Sequence, residues 1–275
     1  MMIRIFLILA LMIGGESMYA QAIKICTYNI RYSNPGDGED AWINRKDDFH
    51  TFIDSLQPDI FCLQEVLKSQ LDDINTKPNV YSVYGVGRED GKERGEYCPV
   101  FYKKEKFNLL SDSTFWLSEN PEIPGKGWDA ACERLATILF LEEKNSHKKF
   151  VVINTHWDHM SQTARENSAE LILNYISTIQ DQNAEVILVG DLNAEPENLS
   201  IKNLETALHG TCPDSLLSVP TYNGFYRQGD TLKHIDYIFL SKSIKSYSNF
   251  QILTPKTKAG RELSDHFPLV IDVAL

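Results

Sequence analysis

The sequence predicts a strand-rich α/β domain, with sheets layered against helices and polar residues gathered where strands end. Three observations carry this reading. Val186, Ile187, Leu188, Val189 and Gly190 form an apolar run without alternation, as expected of a strand buried on both faces, and the run stops at Asp191-Leu192-Asn193. A second run, residues 60–63, stops in the same way at Gln64-Glu65. Short apolar runs divided by turn residues also outnumber the segments with helical spacing, the balance expected of sheets covered by helices. Residues two apart on an extended chain project to the same side, so Asp191 and Asn193 point together beyond the sheet edge, where ligands bind in α/β proteins. A plainer reading gives both residues to a turn that caps a helix over residues 197–208.

The elements follow in order. Residues 23–30 read as a strand ending at Asn29-Ile30-Arg31, followed by a loop over 33–40 rich in Gly, Asp and Pro. Phe49, Phe52, Ile53 and Leu56 recur at helical spacing until Pro58 closes the helix, and the strand at 60–63 comes next. Residues 81–86 and 97–102 read as strands joined by a charged loop over 87–95, and 107–117 as a further strand. The stretch 118–131, with Pro121, Pro124, Gly125 and Gly127 around Trp128, is long for a connection and suits a wall of a substrate site. Strands at 135–141 and 150–155 lead to His156-Trp157-Asp158-His159. A helix from Ser161 to about Gln180 buries Leu171, Ile172, Tyr175, Ile176 and Ile179. After the run at 186–190, strands are expected at 235–240, with Asp236 embedded, and at 267–273, preceded by Ser264-Asp265-His266.

At 275 residues and 43% hydrophobic content, the chain can bury one large core, so a single catalytic domain over 23–275 is expected. Residues 1–22 read as a secretory signal peptide: Arg4 precedes an apolar run over 5–13, and Ala20-Gln21-Ala22 offers small residues for cleavage. That run is too short to span a bilayer, so no membrane span is expected and the protein should be exported, to the periplasm or outside the cell. Five scattered cysteines, Cys26, Cys62, Cys98, Cys132 and Cys212, do not form a disulfide scaffold, and Cys26 and Cys62 sit in strand runs as small hydrophobes. A formal charge of −11 argues against strong duplex DNA binding, which depends on Lys and Arg displacing counterions. It leaves room for a small anionic substrate held by a local cluster.

Six separated places carry the candidate chemistry: Asn29, Glu65, His156, Asp191 with Asn193, Asp236, and Asp265 with His266. Carboxylates and amide oxygens suit a hard cation such as Mg²⁺, and histidines exchange protons near neutral pH. Each residue also has a bland reading, such as Glu65 in the first turn of a helix or Asp236 as a buried hydrogen-bonded group.

Thr27-Tyr28-Asn29, Leu63-Gln64-Glu65-Val66, Asn154-Thr155-His156, Gly190-Asp191-Leu192-Asn193, Ile235-Asp236-Tyr237 and Ser264-Asp265-His266-Phe267-Pro268 resemble, as an ordered set, the signatures of the endonuclease/exonuclease/phosphatase superfamily, also called deoxyribonuclease-I-like. The resemblance spans essentially the whole chain after residue 22. It implies a four-layer α/β sandwich, two mostly antiparallel sheets flanked by helices, with a Mg²⁺-dependent phosphoesterase site at one end and Mn²⁺ as a substitute ion. It further implies Glu65 as principal metal ligand, with Asn29 beside it and Asp265 near the metal or its water. Asp191 and Asn193 resemble the pair that positions the attacking water, Asp236 would orient His266, and Glu96 would orient His156. Arg134 resembles a phosphate-contacting arginine, and Arg31 is assigned to the phosphate with it. Arg31 stands where relatives that cut at abasic DNA carry an acid, which argues against that repair role. The overall pattern is nearest the deadenylase/nocturnin-like branch and exported bacterial relatives.

The expected activity is hydrolysis of a phosphodiester or phosphomonoester of a small molecule, with His266 helping to activate water and His156 helping to protonate the leaving oxygen. The alternatives are a 3′-to-5′ nuclease on single-stranded nucleic acid and a catalytically silent binding module. Trp42, Trp128 and Trp157 are more often packing residues than stacking platforms.

Overall fold

The computed structural model describes residues 22–76, 79–179 and 183–274. The expected signal peptide lies, but for Ala22, outside the described residues. The first part of the chain forms β1 (Ala22–Asn29), α1 (Trp42–Leu56), β2 (Ile60–Gln64), α2 (Lys68–Ile74), β3 (Tyr81–Tyr84), β4 (Val100–Lys103) and β5 (Phe107–Trp116). It continues through β6 (Leu135–Glu143), β7 (Lys149–His156), α3 (Gln162–Thr178), β8 (Ala184–Asp191), α4 (Leu199–Glu205), β9 (Leu208–Gly210), β10 (Asp236–Ser241), β11 (Tyr247–Ile252) and β12 (Leu269–Ala274).

The described strands make two mixed sheets of six, ordered β11-β12-β1-β2-β4-β3 and β5-β6-β7-β8-β10-β9. Each has one parallel pair at its centre, β1 with β2 and β7 with β8, joined through α1 and α3 respectively. The facing surfaces of the sheets bury Ile25, Ile60, Leu139, Val152, Ile187, Ile238 and Ile271. On one outer face α1 and α2 bring Phe49, Ile53 and Ile74 against Tyr28, Phe61 and Leu63. On the other, α3 and α4 bring Ile172, Ile176, Ile201 and Leu204 against Ile153, Leu188 and Tyr237. Burial of each such side chain contributes roughly 1.5–3 kcal/mol, so helix, sheet, sheet and helix form the four expected layers.

Strand register brings the polar strand ends to one place. Asn29 lies opposite Gln64, His156 opposite Asp191, and Asp236 opposite Asp191. Gly190 permits the close pairing of β7 and β8: it sits at φ 146, and an added Cβ would stand 1.9 Å from the Thr155 carbonyl oxygen.

Several element boundaries differ from expectation. The strand expected over 97–102 begins at Val100, because Pro99 has no N–H to donate, and Tyr97 pairs only as a bridge with Val66. The helix expected over 197–208 is α4, and its N-terminus is capped by Asn198, whose side chain accepts from the Ser200 N–H. Asp191 and Asn193 therefore do not cap it. Glu65 is in no helix: it sits at φ 59, ahead of α2. Trp157 and Trp42 are buried, and Trp128 packs against the α3 layer, so the tryptophans are packing residues. Cys26 and Cys62 are fully buried, and all five cysteines are free. Among the described residues no helix is long and apolar enough to cross a membrane.

Candidate active site

The aligned strand ends open on a cleft of about 480 Å³. Its lining includes Glu65, Glu96, His156, Asp191, Asn193, Asp265 and His266, together with Arg31, Arg88, Arg134 and Lys233. Asn29 and Asp236 stand behind this wall. The Asn29 amide donates to Glu65 Oε1 at 3.1 Å and to Asp191 Oδ2 at 3.0 Å, while its oxygen accepts from the Arg31 N–H at 3.0 Å. Both ends of the amide are thus engaged. Asn29 bridges two acids in this geometry and has no oxygen turned to the cleft, unlike the ligand the resemblance implies.

Asp236 meets His266 Nδ1 at 2.9 Å, and Asp191 Oδ2 lies 3.6 Å from the other ring nitrogen. Burial favours a neutral imidazole, but the flanking carboxylates Asp236 and Asp191 outweigh it and push the His266 pKa up to about 10. These carboxylates favour the imidazolium form of His266. Burial raises the Asp191 carboxyl to about 7, against the His266 charge and the hydrogen bonds from Asn193 and Asn29.

His156 has the opposite character. Burial, then the charges of Arg134 and Arg88, hold its pKa well below the usual value. Asn193 Nδ2 donates to the Trp157 carbonyl and lies 3.0 Å from His156 Nε2. His156 Nε2 also lies 3.4 Å from Asp191 Oδ2, so this nitrogen sits between an amide and a carboxylate. The surroundings separate the two rings: carboxylates favour the charged form of His266, whereas burial and the guanidinium groups favour the neutral form of His156.

Glu96 also departs from expectation. Its carboxylate is 4.0 Å from His156 Nδ1, too far for a hydrogen bond, and 2.6 Å from Arg88 Nη1. Arg88 is the residue sequence reasoning missed; it lay in a loop noted only for charge. Arg134 is 5% exposed, and its Nη2 lies 3.2 Å from His159 Nδ1. Its Nε and Nη1 have no hydrogen-bond partner among the described residues. Arg31 reaches the cleft beside Glu65 and Asp265.

Asp191, Asp236 and His266 each offer a ligand atom within 4.8 Å of the others and could hold a metal ion. Within this group His266 Nδ1 and Asp236 Oδ2 are already 2.9 Å apart and bonded to one another. Of the four acids that line the cleft, Glu65 and Asp265 are the two that flank Arg31. Their hard oxygen donors fit a divalent ion, and the left-handed backbone at Glu65, rare for a residue with a side chain, is the strain found where function fixes a side chain. Burial raises the Asp265 carboxyl to about 6. Two layered sheets carrying acids, charged and neutral imidazoles, and cationic arginines in one cleft define a metal-dependent hydrolase of phosphoesters.

The particular family follows from comparison. The Endonuclease/Exonuclease/phosphatase family matches residues 26–266, and the chain belongs to it. A structure of an endonuclease/exonuclease/phosphatase from Bacteroides vulgatus is 34% identical, with a TM-score of 0.82 over 93% of this chain and 99% of that one. The mannosyl-6-phosphatase of Bacteroides thetaiotaomicron is 30% identical, with a TM-score of 0.81 over 92% of this chain and 100% of the other. Nocturnin of Mus musculus is 27% identical over 91% of this chain, which spans 65% of that relative's length.

Proposed function

We infer that the chain removes phosphate from a small polar phosphomonoester, with Mg²⁺ as its metal and Mn²⁺ as a substitute. The observation that carries this is charge placement: Arg31, Arg88, Arg134 and Lys233 gather around one compact cleft in a chain of formal charge −11. A local cationic cluster holds a compact anion against an unfavourable overall field, whereas a nucleic-acid track needs cations and stacking surfaces along its length. The likeness to a mannosyl-6-phosphatase supports a phosphorylated sugar as the substrate class. Burial of Trp42 and Trp157, and the packing of the half-buried Trp128 against the α3 layer, count against the nuclease alternative. With every acid, amide and histidine of the constellation present, the silent binding module is disfavoured.

In this reading water attacks phosphorus in line, the ester P–O bond breaks, and the leaving oxygen takes a proton from solvent in the open cleft and departs as the alcohol. A divalent ion at Glu65 and Asp265 neutralises phosphoryl charge when bound. Asp191, poised near neutrality and oriented by Asn29 and Asn193, accepts the proton of the water. His266 holds the Asp191 charge in place, and Asp236 holds His266. Arg134 and Arg88, with Arg31, bind the phosphate oxygens.

The test is a panel run with Mg²⁺ and with EDTA: a hexose 6-phosphate, nitrophenyl phosphate, bis-nitrophenyl phosphate, single-stranded RNA and single-stranded DNA. Metal-dependent preference for the monoesters is expected, and preference for RNA or DNA would replace this reading with the nuclease. Export is part of the same proposal; mass spectrometry of the exported chain should find a mature N-terminus near Gln21 or Ile23.

A further inference from the structure

Arg31 is held far more firmly than phosphate binding requires. Its guanidinium lies between the two cleft acids, with Nη1 3.9 Å from Glu65 Oε2 and Nε 3.8 Å from Asp265 Oδ2. Behind it, Asp37 accepts from Nε at 3.1 Å and from Nη2 at 3.3 Å. Asp37 is buried and also accepts from Arg227 Nη1 at 3.1 Å. Arg227 Nη2 stands 3.7 Å from Asp40, which Arg261 clamps with bonds of 2.7 and 2.8 Å. A ladder of alternating charge thus runs inward and ends at Arg31. The backbone is fixed as well: Arg31 sits at φ 57, its N–H donates to Asn29 Oδ1, and its carbonyl accepts from Gln70 Nε2 at 3.0 Å. The Tyr32 ring covers the guanidinium at 4.4 Å.

We propose that Arg31 is a built-in second cation of the site: its charge fills the place beside Glu65 and Asp265 that a second divalent ion would need, and limits the site to one ion. The coordination left open agrees with this. Glu65 already accepts from Asn29 through Oε1 and from the Tyr32 N–H through Oε2. What the two carboxylates still offer suits one hard cation that keeps several waters and takes few protein ligands. A second ion against either acid would face a guanidinium that cannot lose its proton and is tied back to Asp37 by two hydrogen bonds. The proposal rests on the metal dependence of the family.

The test is Mn²⁺ titration without substrate, followed by calorimetry and electron paramagnetic resonance, on the unaltered protein, Arg31→Gln and Arg31→Lys. The unaltered protein and Arg31→Lys should each bind one Mn²⁺ per chain. Arg31→Gln should bind a second ion, with the spectral broadening of two coupled ions, or hold its single ion at least about tenfold more tightly. Two ions per unaltered chain, both weakened by Glu65→Gln, would overturn the proposal. So would an Arg31→Gln protein that matches the unaltered one in number and affinity, and that result would leave metal dependence standing. No Mn²⁺ binding by the unaltered protein would overturn the metal-dependent reading together with the proposal. Thermal melts check the fold of each variant, and the stoichiometry of the unaltered protein decides the matter if Arg31→Gln does not fold.

Discussion

Gln64 Nε2 donates to Asn154 Oδ1 at 2.7 Å across the seam between the two sheets, where both side chains are fully buried. Gln64 also donates to Thr27 Oγ1 at 3.0 Å, and Asn154 donates to the Leu63 and Pro99 carbonyls at 2.9 Å each. Glu65 follows Gln64 directly, and His156 lies two residues beyond Asn154, so this amide pair sets the acid side of the cleft against the histidine side. Asn154→Leu would strand the Gln64 amide in an apolar seam. Each buried polar group left unpaired costs about 1–3 kcal/mol, and a stability loss of about 2–4 kcal/mol in urea unfolding is expected. A loss below about 0.5 kcal/mol would show that the pair is not a structural pin.

His266 makes stability depend on alkaline pH. Its pKa is raised to about 10 from an ordinary 6.5, so its stabilising contribution is complete below about pH 6.5 and is lost progressively as pH rises to 10. Unfolding in EDTA across that window should show stability falling with pH, and His266→Gln should flatten the slope. Nuclear magnetic resonance titration should find the His266 pKa lowered in Asp236→Asn. An unchanged slope in His266→Gln would mean that the ring is neutral in the folded protein.

The fold and most of the cleft were legible because both rest on a short-range signal: an apolar run that ends on an acid, amide or imidazole. β2 and β8 carry that signal most plainly; parallel pairing sets Gln64 beside Asn29 and Asp191 beside His156, and the Asn29 amide joins Glu65 to Asp191 across the two sheets. The elements that escaped notice lack it. β11 is an edge strand with exposed polar residues and an interrupted register, and α2 buries only Gln70 and Ile74, too few to mark a helical face. The charge states of the histidines were not legible either. Carboxylates stand near both rings, but His156 also has Arg134 and Arg88 nearby, and only tertiary structure brings those neighbours together.

A second stability prediction lies away from the cleft. Asp59 accepts from the Lys24 N–H at 3.0 Å, from Lys103 Nζ at 2.9 Å and from Lys106 Nζ at 2.8 Å. Burial would raise its pKa, but the hydrogen bonds from Lys106, Lys24 and Lys103 outweigh burial and hold it below the usual carboxylate range. Its contribution is therefore present above the ordinary carboxylate pKa and is lost as pH falls through the lowered one. Asp59→Asn should lower stability by about 2 kcal/mol at pH 7 and should shrink that deficit under acid. An equal deficit at pH 7 and pH 2 would assign the effect to packing.

Glu65→Gln tests the metal site directly. The substitution keeps the shape of the side chain and removes a negative charge from an oxygen-donor site, so its main effect should be on Mg²⁺ affinity. Activity should fall sharply at limiting Mg²⁺ and recover in part as Mg²⁺ is raised. Undiminished activity at limiting Mg²⁺ would remove Glu65 from the metal site.

His156 distinguishes two ways of handling the leaving group. A general acid must be protonated, and a substrate with an acidic alcohol has little need of one, so loss of a general acid spares nitrophenyl phosphate and damages a sugar phosphate. Burial and the charges of Arg134 and Arg88 lower the His156 pKa, and its Nε2 lies 3.0 Å from the Asn193 amide nitrogen and 3.4 Å from Asp191 Oδ2. The expected outcome is that it acts by fixing the Asn193 amide beside Asp191 rather than by protonating the leaving oxygen. His156→Asn should lower kcat/KM by a similar factor, about 10²-fold, for both substrates, the scale of a misplaced site group. Asn193→Ala in the His156→Asn background should add little, since the two side chains act through one contact. A defect confined to the sugar phosphate, with nitrophenyl phosphate turned over at the unaltered rate, would restore His156 as the proton donor and overturn the assignment made from its surroundings.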